Sequence, residues 1–295
     1  MANTLGGVNL AAIAQQSLSA LLPKLPMMRA LMAADFSADV ATQGESVTTR
    51  VATATTAQDF TSTPADQDAT TTAKTITLSN YKGTRIGFTD SEWSKSSINL
   101  NDVFIQPAVN GIANAIVDSA LALVTNANYG GAAFTGAAST FDADEVADLA
   151  ATLTAANVAA DGRYLLVGPT YFANLAKDAA VQAAYAYGSP DVIRENRIPR
   201  VHGFSVHEYT DIPANSEHLV GVAGTKQGLL VATRLPAIPA NFPGEVEVVT
   251  DPESGFSLQF RRWYSADDRK HRMEVGVIYG VAVGVAGNIK RLVSE

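Results

Sequence analysis

The stretch from Thr42 to Leu78 limits the fold of this chain more than any other part, because it is long and has few large apolar side chains. Threonine occupies 13 of its 37 residues. Val47 to Thr53 and Thr75 to Leu78 have the β-branched pattern that is typical of strands. We therefore predict a long two-stranded hairpin. An isolated hairpin is not stable in water, so it must lie on another surface; a flexible surface loop is the alternative interpretation.

Two helices are predicted on either side of this stretch. Asn9 to Leu22 has one apolar stripe at helical spacing and would dock on its own domain or on a neighbouring molecule. A second helix of about five turns is predicted with Pro107 in its first turn and an end near Asn126. Its apolar face consists of Val109, Ile112, Ile116, Ala120 and Leu123.

The pattern changes to mixed α/β from Phe141 onward. Asp142 and Glu145 have the spacing of a capping box, and Pro169 is placed to open a further helix. Strands are predicted at Arg163–Val167, Gly203–Tyr209 and Leu219–Val222, and then, beyond a proline-rich linker at 236–243, at Glu245–Thr250, Phe256–Tyr264, Arg272–Val285 and Ile289–Val293.

Composition and motifs argue against several classes of protein. The net charge of −8 opposes a nucleic-acid reader, and the absence of cysteine excludes disulfides and thiolate metal sites. No apolar run reaches the roughly 18 residues of a membrane span. His202 and His207 lie five residues apart in a predicted strand, hence on opposite faces, so we nominate no metal site. No catalytic or cofactor-binding signature is present, and we predict neither an enzyme nor a cofactor.

One basic cluster flanks the predicted turn at Ser265–Asp268. It consists of Arg261, Arg262, Arg269, Lys270 and Arg272. Three interpretations are open: pairing with Asp267 and Asp268 inside the turn, contact with phosphates, or contact with acidic groups of a neighbouring molecule. A second, shorter cluster at Arg194, Arg197 and Arg200 allows contact with phosphates, contact with acidic groups of a neighbouring molecule, or a solvated charged turn.

The order of these parts, together with four local strings, resembles the tailed-phage major capsid protein of the Hong Kong phage type. The strings are LMAADFSADVATQGESVTT (Leu31–Thr49), SNYKGTRIGFTDSE (Ser79–Glu92), RIPRVHGFSVHEYTDIP (Arg197–Pro213) and RMEVGVIYGVAVGVAGN (Arg272–Asn288). The resemblance covers nearly the whole chain and fits members that have no large inserted domain.

This resemblance implies an α+β fold with an N-terminal arm (1–42), an extended β-hairpin loop (43–90), and a peripheral domain with a long spine helix (91–140). An α/β axial domain (141–234) follows, and the chain then returns to the β-strands of the peripheral domain (235–295). It also implies self-assembly into pentamers and hexamers of an icosahedral head shell around double-stranded DNA. An encapsulin-like compartment is the alternative within the fold, and an α/β enzyme using Asp142–Pro213 is the alternative outside it.

The partners implied by the resemblance are further copies of the chain, a separate scaffolding protein, a portal, a decoration protein and the packaged DNA, which is contacted without sequence specificity. The location implied is the virion, after assembly in the bacterial cytoplasm, with no membrane contact. In this family the peripheral strands receive the extended loop of a neighbour. That loop carries Glu45, Asp59, Asp66 and Asp68, so we expect these acids to face the basic cluster between subunits.

Overall fold

A computed structural model describes residues 32–33, 46–52, 71–95, 100–186, 198, 200–250 and 257–295. Its strands in chain order are β1 (Met32–Ala33), β2 (Ser46–Ala52), β3 (Thr71–Thr77), β4 (Asn80–Thr89), β5 (Phe134–Thr135), β6 (Tyr164–Val167), β7 (Ser205–Glu208), β8 (Leu219–Gly224), β9 (Leu229–Arg234), β10 (Gly244–Thr250), β11 (Ser257–Ser265), β12 (Lys270–Val283) and β13 (Ile289–Val293). Its helices are α1 (Asp90–Lys95), α2 (Leu100–Leu121), α3 (Asn126–Tyr129), α4 (Ala143–Ala155), α5 (Pro169–Lys177) and α6 (Ala179–Ala186). The predicted helix at Asn9–Leu22 lies outside the described residues.

The long helix α2 begins earlier than the sequence pattern suggested. Pro107 lies inside α2 and not in its first turn, which corrects our prediction. A proline inside a helix removes one backbone hydrogen bond. The burial of a whole helix face offsets this loss, since Val109, Ile112 and Ile116 are at most 3 % exposed. These three side chains join one hydrophobic core with the strands of the larger sheet.

The larger sheet is antiparallel around its longest strand, β12. Its order is β1-β9-β12-β11-β10, and β4 pairs with the first ten residues of β12, while β9 pairs with its last six. One face of the sheet packs on α2 through Phe260, Met273 and Val275, all of which are buried. Because side chains alternate between faces along a strand, this packing fixes which residues point away from the helix.

The predicted hairpin is present as β2 and β3, which pair antiparallel from Ser46↔Thr77 to Ala52↔Thr71. Its base rests on the subunit's own sheet. Ile76 is fully buried and packs in a small cluster with Leu78, Leu230 and Ala232. Gly280 of β12 lies directly beneath, where a Cβ atom would overlap the carbonyl oxygen of Thr77. The hairpin therefore leaves the subunit from a close backbone contact.

The smaller sheet has five strands in the order β5-β13-β8-β6-β7 and carries the helices α4 and α5. Asp142 caps α4 as predicted, because its carboxylate accepts hydrogen bonds from the backbone N–H groups of Asp144 and Glu145. At the other end of α4, the buried Arg163 donates to the carbonyl oxygens of Ala150 and Val158. The Asp142 side chain thus satisfies the first turn of α4, while the carbonyl groups of Thr152, Leu153 and Thr154 in its last turn accept from backbone N–H groups.

Two details of the predicted elements are wrong. The strand β9 was not predicted, although all but its last residue are buried. His202 has a φ of 45° in a turn before β7, so it is not part of a strand.

The last strand, β13, pairs with β8 and β5 of the smaller sheet, so it lies inside that sheet. The division into five regions stays a prediction.

Candidate intersubunit surface

The predicted basic cluster lies at one end of the larger sheet, around the turn between β11 and β12. We call Ser265 to Lys270 the basic turn. The register pairs Ser265 with Lys270 and Trp263 with Arg272, which brings the basic residues of both strands to one end of the hairpin. The structure thus brings together all five predicted basic residues, but it gives them different partners.

Arg261 has its partners within the subunit. Its guanidinium donates to the carbonyl oxygen of Ala237 at 2.8 Å and to the side chain of Gln259 at 2.9 Å. It also lies 4.0 Å from the carboxylate of Glu274, which is bound at 2.7 Å by Nε of Arg85. A buried carboxylate needs such cations because desolvation disfavours its charged form. Arg261 is therefore part of the subunit's own structure.

Arg262 and Arg272 also form ion pairs within the subunit. Arg262 bonds the Glu245 carboxylate of β10 at 2.6 Å, and Arg272 bonds Asp268 within the basic turn. Hydrogen bonding by the Ser265 side chain, and secondly by Arg272, holds the pKa of Asp268 below its ordinary value. The interpretation of pairing inside the turn is thus confirmed for Arg272 and Asp268.

Arg269 and Lys270 differ from the other three basic residues. No residue that the structure describes forms an ion pair with either of them. Arg269 is exposed at the tip of the turn with a φ of 50°. Of the predicted basic cluster, these two residues are the ones without an ion pair in the described part of the subunit, although the charge of Lys270, after hydrogen bonding by Thr89, contributes to the lowered pKa of Glu92.

An aromatic group that the sequence did not indicate adjoins the basic turn. The rings of Trp93 and His271 stack with centroids 4.9 Å apart, and the Tyr264 ring lies 4.9 Å from the His271 ring. Asp90 joins them, accepting a 3.1 Å hydrogen bond from Tyr264 and lying 3.4 Å from His271 Nε2. Partial desolvation, and then the bond to Asp90, raises the pKa of Tyr264. Trp93, Tyr264 and His271 line a pocket of about 340 Å³.

The acidic half of the predicted contact is not tested. Glu45, Asp59, Asp66 and Asp68 all lie outside the described residues, as do Arg194 and Arg197 of the second cluster. Across the described ranges, no three histidine, aspartate or glutamate side chains are grouped so that they could hold a metal ion. No helix within those ranges is both long and apolar enough to cross a membrane.

Comparison by sequence finds no relative, since no family model and no curated protein matches the chain. Comparison by structure finds phage capsids. The capsid structure of cyanophage P-SCSP1u covers 91 % of this chain and 88 % of its own, with a TM-score of 0.62 and 12 % identity. A structure of Mycobacterium phage Che8 covers 85 % of both chains, with a TM-score of 0.57 and 19 % identity. The mature capsid of bacteriophage PhiM1 covers 90 % of this chain and 84 % of its own, with a TM-score of 0.57 and 11 % identity. The chain therefore has the fold of tailed-phage major capsid proteins.

Proposed function

We propose that the chain is the major capsid protein of a tailed phage, and that copies of it assemble into pentamers and hexamers of the shell that encloses the double-stranded DNA genome. The observation that carries this proposal is the agreement in fold with capsid structures over nine tenths of the chain. Its role is structural and not catalytic. Its location is then the virion, and its main partner is the chain itself.

The hairpin of β2 and β3 supports this proposal. Its base is held by a small apolar cluster, but most of β3 is exposed and carries threonine, lysine and alanine. A long polar hairpin is not stable alone, so a second molecule is the natural support for its far part. Many weak contacts of this kind stabilise a closed shell through multivalency, while each single contact can still be corrected during assembly.

Electron microscopy of the purified chain tests the proposal. We expect closed particles, either from the chain alone or after co-expression with its scaffolding protein. Small soluble oligomers under both conditions, together with turnover of a small molecule, would favour an α/β enzyme instead. Particles that enclose a protein cargo and no nucleic acid would favour an encapsulin-like compartment. DNA-filled heads, formed when the portal and packaging proteins are also present, support the proposed role.

Arg269 and Lys270 are the two residues of the predicted basic cluster that form no ion pair within the described part of the subunit. We propose that Arg269 and Lys270 meet Asp66 and Asp68 of a neighbouring subunit's extended loop. Each exposed pair contributes about 0–1 kcal/mol, so the effect comes from repetition over the shell. Asp66→Lys with Asp68→Lys replaces the attraction by repulsion and should therefore lower the yield of particles at low salt. Added salt should partly restore this yield, because it screens the repulsion.

Compensating changes separate this contact from a loss of folding. Arg269→Glu with Lys270→Glu should restore assembly of the reversed loop. The matched control is Arg272→Glu, which disturbs the pair with Asp268 inside the turn and should not rescue. Unchanged assembly of the loop variant at all salt concentrations would overturn the contact.

A further inference from the structure

Among the residues that the structure describes, three strands of the larger sheet pair on one side only: the two-residue β1 and the longer β4 and β10. Within the described ranges, β10 pairs with β11 alone and β4 pairs with β12 alone. An unpaired strand presents a row of backbone N–H and C=O groups that can bind another strand. We call β10 (GEVEVVT) the acidic edge and β4 (NYKGTRIGFT) the basic edge. In the described part of the chain, β10 and β4 are thus two long strands of opposite charge, each with one unpaired side.

Both edges also expose a large apolar side chain. Tyr81 on the basic edge is 57 % exposed, and Val248 on the acidic edge is 41 % exposed. A single exposed apolar side chain is ordinary. Here, however, the two lie on the two open strands of one sheet, beside charged residues without ion-pair partners in the described part of the chain, Glu247 and Lys82.

The strand directions allow the two edges to join. Neighbouring strands in the order β10, β11, β12 and β4 are all antiparallel, so β4 runs opposite to β10. If a second copy continues the sheet in the same sense, its β4 lies antiparallel to the β10 of the first copy. The ladder can then continue across the boundary with the hydrogen-bond pattern it has inside each subunit.

The side chains select one register for this pairing. The registers within the sheet place Glu247 and Lys82 on the face that packs on α2, since their neighbours are Phe260 and Val277. Val248 follows Glu247 in β10, and Tyr81 precedes Lys82 in β4. Both side chains therefore point to the opposite face of the sheet. If Glu247 lies opposite Lys82, antiparallel pairing places Val248 opposite Tyr81. One register thus forms a charge pair on one face and an apolar pair on the other.

We propose that neighbouring copies of this chain associate head to tail by joining the acidic edge of one larger sheet to the basic edge of the next, with Glu247 opposite Lys82 and Val248 opposite Tyr81. Two different surfaces meet in such a contact, so it generates rings or open arrays and not two-fold dimers. A one-residue shift would place all of these side chains on the wrong faces, which makes the register specific. The inference deepens the proposed shell function and rests on it.

Disulfide formation tests the register directly, because the chain has no cysteine of its own. The test variant carries Tyr81→Cys and Val248→Cys. Three strand spacings, roughly 14 Å in total, separate β4 from β10 within one subunit, which is too far for a disulfide. Any bond between these cysteines must therefore join two copies. We expect a ladder of covalent multimers on a non-reducing gel after mild oxidation of assembled particles.

The matched control carries Tyr81→Cys and Glu247→Cys, whose side chains point to opposite faces in the proposed register. It should give at most a trace of the ladder. Equal ladders from both variants, or particles without any ladder, would overturn the inference and leave the proposed shell function standing. Failure of the unmodified chain to form particles would instead count against the proposed function.

A charge-swap series gives a second measurement that does not depend on cysteines. Glu247→Lys and Lys82→Glu each place like charges opposite each other and should weaken each contact about two- to fivefold. This would appear as a raised critical concentration for assembly. The double swap should return it close to that of the unmodified chain. Additive losses in the double variant would overturn the proposed pairing.

Discussion

Two β-hairpins of this chain have the same extent of pairing but opposite relations to the molecule. β2 with β3, and β11 with β12, each form seven antiparallel residue pairs. The second hairpin contributes Leu258, Phe260 and Met273 to the main core. The first has one fully buried side chain in the described part of its strands, Ile76.

The difference teaches that backbone pairing alone does not decide where a hairpin lies. The two ladders have the same number of residue pairs, but only apolar side chains on one face supply the burial that holds a hairpin to its own subunit. The threonine-rich hairpin has the first property and, beyond its base, lacks the second. Such a segment is suited to contacts between subunits, where large exposed apolar patches would cause aggregation.

The largest loss of stability is expected from a substitution in the second hairpin, β11 with β12. Phe260 is fully buried between β11 and α2, so Phe260→Ala should lower the free energy of unfolding by about 3–5 kcal/mol. Urea-induced unfolding of unassembled subunits measures this loss. A loss below about 1 kcal/mol would mean that the second hairpin is no better anchored than the first.

A smaller and local effect is expected at the base of the first hairpin. Ile76 packs in a small cluster with Leu230 and Ala232, and Ile76→Ala should cost about 2 kcal/mol, at the low end for such a truncation. Hydrogen exchange should become faster in β2 and β3 and stay unchanged in β11, because β11 contributes to the main core and not to this cluster, whereas Ile278 and Ala282 of β12 pack against it. Equal acceleration in β11 would contradict this separation.

The smallest effect is expected in the exposed part of the first hairpin. Thr48 and Thr75 are directly opposite each other, and their hydroxyl oxygens lie 3.3 Å apart. Thr48→Ala should lower the free energy of unfolding of the subunit by about 0.2–1 kcal/mol. Its effect on particle yield should exceed its effect on subunit stability if the hairpin lies on a neighbour. The reverse order would show that this pair serves the subunit itself.

The sequence was a good guide where a local pattern decides the structure. Alternation and β-branched residues located β2, β10, β11 and β12, and the Asp142 capping box located α4. The strand β9 was missed because its residues are apolar on both faces and give no alternation. Pro107 misled the start of α2, because tertiary packing outweighs one lost hydrogen bond.

The candidate surface was predictable in position but not in its pairings. The turn residues placed the five basic side chains together, yet their partners are set by strand register over long sequence distances. Glu274 meets Arg85, which lies 189 residues earlier in the chain. A lone glutamate in the apolar stretch of β12 was the available signal, since a buried carboxylate requires a nearby cation.

Gly280 gives the first hairpin a mechanical property. The hairpin contacts the sheet where Thr77 lies against Gly280, and its seven-residue strands extend about 23 Å from this contact. A methyl group at Gly280 would tilt the hairpin. A tilt of about 10° would move the far end of these strands by about 4 Å, close to one strand spacing. The position of the hairpin's far end is thus set at its attachment to the sheet. Gly280→Ala would displace this end more than most substitutions within the hairpin itself.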